Sequence, residues 1–289
     1  MELGINTYFI DVKESYDLGL GRVEIVTTSK KKAILDAEKA SKYSMKYSIH
    51  LPVFLPEWYD FGQWEVYFCD PDPVKRSCSF EMFEENLEFI KDLDSEYVIT
   101  HFGGVLPALP SEDFDNFSEI VNHSLIKLQA LSSKYNIKLL LEYFGLNKNL
   151  FLPKDWLSLV SGRENLGLLI DTGHLHLSCL YNNLDSEQAL YQLTSEAYAF
   201  HLWNTKGNEH YWKYHHVAPH SNQLIDDGWV FSTSKLLKTL CSANPSAPII
   251  IEPNVLFGGK DFIINSIDNM KKLINDYMNL AYLGITNEL

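Results

Sequence analysis

Arginine is almost missing from this chain: Arg22, Arg76 and Arg163 are the only three in 289 residues. Bidentate phosphate clamps are therefore scarce. Lysine does not make up the deficit, because 38 acidic side chains stand against 24 basic ones and the formal net charge is -14. Such a surface repels polyanions at long range, which disfavours nucleic acid as a partner without excluding a local basic groove or a bound cation. Cysteine is sparse too. Cys69, Cys78, Cys179 and Cys241 form no Cys-x-x-Cys pair and do not resemble a disulfide framework. No apolar run approaches the roughly 20 residues of a membrane span, and the start at Met1 lacks the basic and apolar segments of a secretory signal. The expectation is a soluble, cytoplasmic protein with no membrane partner.

What the chain does have is core-forming material: 46% hydrophobic residues with only 21% charged ones. Its length suits one domain over residues 1–289, of the size that an α/β barrel reaches as a single unit. Short β-branched or leucine-rich runs alternate with segments of helical period. Strands are predicted at Leu3–Tyr8, Arg22–Val26, Tyr47–Leu51, Tyr97–His101, Lys138–Glu142, Leu166–Asp171, Ala197–Leu202 and Pro248–Glu252. Several are near-continuous apolar runs, as parallel strands buried on both faces require. Helical stripes are predicted over Lys30–Ser41, Phe80–Leu93, Asn116–Tyr135, Thr233–Cys241 and Phe262–Tyr277, with weaker signals around Pro153–Val160 and Ser186–Thr194. Eight such strands imply an α/β fold of the (β/α)8 TIM-barrel type; an open doubly wound sheet is the alternative.

The polar residues favour the barrel. Barrel chemistry gathers where strands end at the C-terminal face. Here successive strands end with His50, His101, Glu142, Asp171 (followed by His174), His201 and Glu252. A single strand-end histidine or glutamate is ordinarily structural, but that explanation must be repeated six times. Packed together without counter-charge, the three carboxylates would raise one another's pKa. A divalent cation removes the conflict, since carboxylate oxygen and neutral imidazole both suit zinc, manganese and related ions. Residue type and placement leave one to three ions open.

Three motifs, Ile170-Asp171-Thr172-Gly173-His174, Phe200-His201-Leu202-Trp203-Asn204 and Ile251-Glu252-Pro253, in this order on successive strands, resemble the xylose-isomerase-like barrels. That superfamily includes sugar isomerases and epimerases and the family 2 abasic-site endonucleases of the endonuclease IV type. The resemblance implies that Glu142, Asp171, His201 and Glu252 hold one divalent metal while Glu142 and Glu252 transfer protons beside a metal-polarised carbonyl. It also implies that His50 and His101 either contact substrate or, with Glu142, hold a second metal, as in the zinc-dependent phosphodiester hydrolases. A third zinc in that branch would use His174 and an Asp-x-His pair, of which His216 is present but Tyr214 stands in the Asp position. His215 and His220 are the remaining candidates for that gap. The first strand also lacks the endonuclease branch's His-x-Ser signature.

The leading expectation is a metal-dependent isomerase or epimerase of a sugar or sugar phosphate; the alternative is the hydrolase. Substrate-binding candidates are His50, His101, His174, Asn204 and Lys206, with Trp58 and Trp64 from the aromatic connection Pro52–Pro73. That connection reads as a lid, a covering flap or the interface of a homo-oligomer. Gly103 and Gly104 could present backbone N–H groups to substrate or serve only as turn residues.

Overall fold

The computed structural model describes residues 1–103, 116–145, 147 and 149–282. Gly104 lies outside these residues. Eight parallel strands close into one barrel in chain order: β1 (Leu3–Asn6), β2 (Arg22–Ile25), β3 (Lys46–His50), β4 (Val98–His101), β5 (Leu139–Tyr143), β6 (Leu166–Asp171), β7 (Ala197–Leu202) and β8 (Ile249–Ile251). Every predicted strand is found, with its ends displaced by two residues at most. The open sheet is excluded because β1 pairs with β8 as well as with β2.

The helices are α1 (Val12–Asp17), α2 (Lys30–Lys42), α3 (Pro73–Ile90), α4 (Phe117–Tyr135), α5 (Pro153–Val160), α6 (Thr172–Asn182), α7 (Ser186–Thr194), α8 (Asn208–Tyr214), α9 (Thr233–Ala243) and α10 (Gly259–Tyr282). Their starts follow local chemistry. Ser29 caps α2 by accepting from the Lys32 N–H, and Asp72 caps α3 ahead of Pro73. Asn136, in the left-handed conformation, ends α4.

The pleat explains how the polar residues come together. Side chains alternate across a strand, so residues two apart share a face. Tyr97, Ile99, Leu140, Leu169 and Ala199 form a buried cluster of their own inside the barrel, apart from the larger core between sheet and helices. Moving two residues on from Ile99, Leu140, Leu169 and Ala199 gives His101, Glu142, Asp171 and His201. All four therefore point into the same end of the barrel. The opposite end is closed by Arg22, whose guanidinium bonds Tyr97 Oη at 3.0 Å and also pairs with Glu96. Gly4 makes room for it, since a Cβ there would sit 2.4 Å from Arg22 Cγ.

Candidate functional site

Glu142 is the hub of the C-terminal end of the barrel. Its Oε2 lies 3.0 Å from His50 Nε2 and 3.2 Å from His101 Nε2, and its Oε1 lies 3.5 Å from His201 Nδ1. Glu252 Oε2 approaches the same His201 Nδ1 at 3.4 Å. Two groupings result, Glu142, Asp171, His201 and Glu252, and His50, His101 and Glu142, each with donor atoms all within 4.8 Å of one another. Every one of these side chains is buried.

Three observations show that a divalent cation fits the four-residue group. First, His201 Nδ1 is buried without a hydrogen-bond partner, facing two carboxylates. Second, the other ring nitrogen is already engaged, because His201 Nε2 lies 3.1 Å from Glu24 Oε2. A carboxylate there accepts the Nε2 proton and leaves Nδ1 as the ligating atom, the usual arrangement behind a metal-bound histidine. Third, the acids conflict. Burial, reinforced by the charge of Glu142, pushes Asp171 up to about 7, and burial together with Glu142, Glu24 and Asp171 pushes Glu252 up to about 8. Glu142 goes the other way: burial opposes its charge, but His101, His201 and His50 hold it well below the usual carboxylate range. Burial also opposes charge on His201, yet Glu24 and Glu252 raise it well above its ordinary value. Protons occupy this cluster in the absence of a cation.

The second grouping has a related signature. His50 Nδ1 is 3.1 Å from the Leu51 carbonyl, which can only accept, so in a neutral ring the Nε2 that faces Glu142 Oε2 is an acceptor, and it donates there only when the ring carries a second proton. Two acceptors 3.0 Å apart require a proton or a metal ion between them.

The supports of Asp171 come from the first two motifs. Asp171 ends β6 and caps α6, with its Oδ1 accepting from the His174 N–H at 2.7 Å, while Oδ2 accepts from Trp203 Nε1 at 2.7 Å. Gly173 permits this: a Cβ would lie 2.3 Å from the Trp203 ring. Trp203 in turn stacks on His216, ring centroids 4.2 Å apart. His216 Nδ1 reaches Glu252 Oε2 at 3.6 Å, and His174 Nε2 lies 3.8 Å from Asp171 Oδ2. Burial, the first cause in each case, lowers His216 to about 3 and His174 well below its ordinary value. These two histidines border the centre, but among the described residues no third grouping of donors includes them. Tyr214 packs on His210 and Phe257, and His220 Nδ1 pairs with Asn222. Neither fills the gap left by the missing Asp.

A cavity of about 440 Å³ opens over the centre. His50, His101, Glu142, His174, His216 and Glu252 line its floor, and Trp64 lines its wall within 5.3 Å of the His50 ring. Three expected substrate residues do not line it. Trp58 is on the outer surface, donating to Glu85 at 3.0 Å. Asn204 is buried away from the cavity, where its amide donates to Gln223 and the Phe231 carbonyl. Lys206 extends along the surface to the Asp227 carbonyl and over the Trp229 ring. The aromatic connection is thus a packed flap, with Phe54, Tyr59 and Phe68 buried and only Trp64, among its aromatics, at the cavity. Sequence reasoning missed Glu24 and Asn6. Both occupy inward positions near strand ends, and Asn6 lines the cavity with a buried Oδ1 that has no partner.

A closed eight-stranded parallel barrel with a cluster of carboxylates and imidazoles at its C-terminal end defines a TIM-barrel protein with a candidate metal centre. The chain belongs to the xylose isomerase-like TIM-barrel family, matching it over residues 12–273. No curated protein sequence matches it significantly. Solved structures do resemble it. A D-tagatose 3-epimerase-like protein superposes with a TM-score of 0.67 at 19% identity, covering 99% of this chain and 100% of the other. The 3-keto-D-glucoside 4-epimerase of E. coli gives 0.68 at 13%, covering 94% and 99%. A xylose isomerase-like TIM-barrel protein from Mycobacterium smegmatis, in complex with magnesium, gives 0.56 at 11%, covering 92% and 86%.

Proposed function

We propose that the protein is a metal-dependent isomerase or epimerase of a sugar. The observation that carries this reading is the four-donor group beneath the cavity, in which the two glutamates that line its floor, Glu142 and Glu252, flank one histidine nitrogen that has no other partner. Glu142, Asp171, His201 and Glu252 would hold the divalent ion, and that ion would supply electrophilic polarisation of a substrate carbonyl. The protein's own residues do the rest. Glu24 and Trp203 orient His201 and Asp171 through the atoms that face away from the cavity. Glu142 and Glu252 are the carboxylates placed to take a proton from the carbon beside the carbonyl and return one. His50 and His101 face substrate hydroxyls, and the Trp64 wall shields the reacting carbon from water. Epimerases among the structural neighbours, and a xylose isomerase-like barrel protein in complex with magnesium, support the reading.

The test is hydrogen exchange. Protein loaded with manganese or magnesium and offered a panel of free ketoses and keto-glycosides in heavy water is expected to introduce deuterium beside the carbonyl of at least one sugar. Metal uptake without exchange on any of them would contradict the assignment. The second grouping, His50, His101 and Glu142, favours one further reading, a two-metal zinc hydrolase of the abasic-site endonuclease type. Cleavage of an abasic-site duplex by the zinc-loaded protein would decide for it.

A further inference from the structure

The cavity has two unlike halves. Around the strand ends its groups are acids and imidazoles; towards the mouth they are aromatic. Tyr8, Tyr181 and Trp212 stand there with 59%, 52% and 59% of their surface exposed, from the β1–α1 connection, α6 and α8 respectively. Phe9 packs edge-on beside Tyr8, with ring centroids 4.7 Å apart, and Tyr211 beside Trp212 at 5.4 Å. Large aromatics left exposed on both sides of a cavity mouth are surfaces for stacking on a flat, weakly polar face.

Two further features define the chemistry of the occupant. No lysine or arginine among the described residues lines the cavity, while Glu142 and Glu252 do. A phosphate dianion would therefore meet negative charge with no cationic side chain among the described residues to balance it. Asn6, more than nine-tenths buried, also lines the cavity. At about 440 Å³ the cavity also exceeds what a single hexose ring fills, and it falls within the range of sites for larger ligands.

We propose that the substrate is an uncharged glycoside whose reacting ring carries a keto group, rather than a free or phosphorylated monosaccharide; the carbonyl beside which the proton moves is then that ring ketone. Its reacting sugar lies over the strand-end carboxylates, and a second ring stacks between Tyr181 and Trp212 at the mouth. This inference rests on the sugar-isomerase reading of the same site.

The test compares ligands on the intact, manganese-loaded protein. D-glucose, D-galactose, their 6-phosphates and their phenyl β-glycosides are titrated calorimetrically, with saturation-transfer NMR to show which protons touch the protein. In at least one series the phenyl glycoside should bind about tenfold tighter than its parent, as one stacked ring allows, and the 6-phosphate weaker than its parent. The strongest transfer should fall on the phenyl ring, and Trp212→Ala and Tyr181→Ala should each erase most of the advantage. Tighter binding of the phosphates, equal binding of parents and phenyl glycosides, or no binding in either series would overturn the proposal. The two readings fail separately: deuterium exchange into a free ketose without any glycoside preference would sink only this one. Failure to take up metal would sink the reading beneath it.

Discussion

Glu142 faces His50, His101 and His201 at once, and its removal should be correspondingly specific. Glu142→Gln and Glu252→Gln are each expected to lower deuterium exchange by roughly 10²–10⁴-fold, the usual contribution of a positioned acid or base, while far-ultraviolet circular dichroism stays unchanged. Near-normal exchange in either variant would show that the pair does not move the proton. Glu24 acts one step further back, on His201 Nε2 at 3.1 Å. Glu24→Gln should weaken manganese affinity by roughly 10–100-fold, as loss of an outer-shell carboxylate commonly does; competition with a fluorescent chelator would read it. The six strand-end groups were legible in the sequence because each follows an apolar strand at the correct parity. Glu24 was not, because a glutamate between Val23 and Ile25 reads as ordinary strand alternation. Trp58, Asn204 and Lys206 lie away from the cavity for a different reason. Residues just past a strand end can turn towards the cavity or away from it, and only tertiary partners such as Glu85, Gln223 and the Asp227 carbonyl decide which.

Among the elements, α6 matters most, since its first turn carries Asp171 at the cap and His174 beside the cavity. Its sequence hides it. Thr172 through Cys179 are all buried, so no polar face alternates with an apolar one. Helix α8 was equally illegible because it is short and buries none of its residues. The eight strands were readable because their β-branched and leucine runs persist whatever covers them. The packing of α6 against β7 depends on Gly173 lying under Trp203. Gly173→Ala is expected to cost about 1–3 kcal/mol as overpacking, and to displace the indole from Asp171. Chemical denaturation would measure the first effect. A metal titration would measure the second, with affinity falling in parallel. Unchanged stability would mean that the indole has room to move.

At the scale of the whole molecule, the barrel brings mutually repelling acids together, so pH and metal should be linked. Asp171 and Glu252 are raised to about 7 and about 8 in the folded state, above their values near 4 in an unfolded chain. Their stabilising contribution is therefore complete below about pH 4 and is lost as pH rises through 7 and 8. Glu142, shifted the other way, loses its contribution only in acid and does not alter this window. A bound cation replaces the missing protons. The melting temperature of chelator-treated protein should fall between pH 6 and 8, the loaded form should resist that fall, and the gap should widen. A constant gap would uncouple the acids from the metal. Among the described residues no helix is long and apolar enough to cross a membrane, which agrees with the absence of long apolar runs. The proposed divalent metal centre around Glu142 and His201 underlies every chemical step above. Elemental analysis of untagged protein, purified without chelator, tests it directly when paired with calorimetric titration of the stripped protein with manganese, magnesium and zinc. The account predicts at least one tightly held ion per chain, lost in Asp171→Asn. Folded protein that carries no divalent ion and takes up none of the three would contradict it.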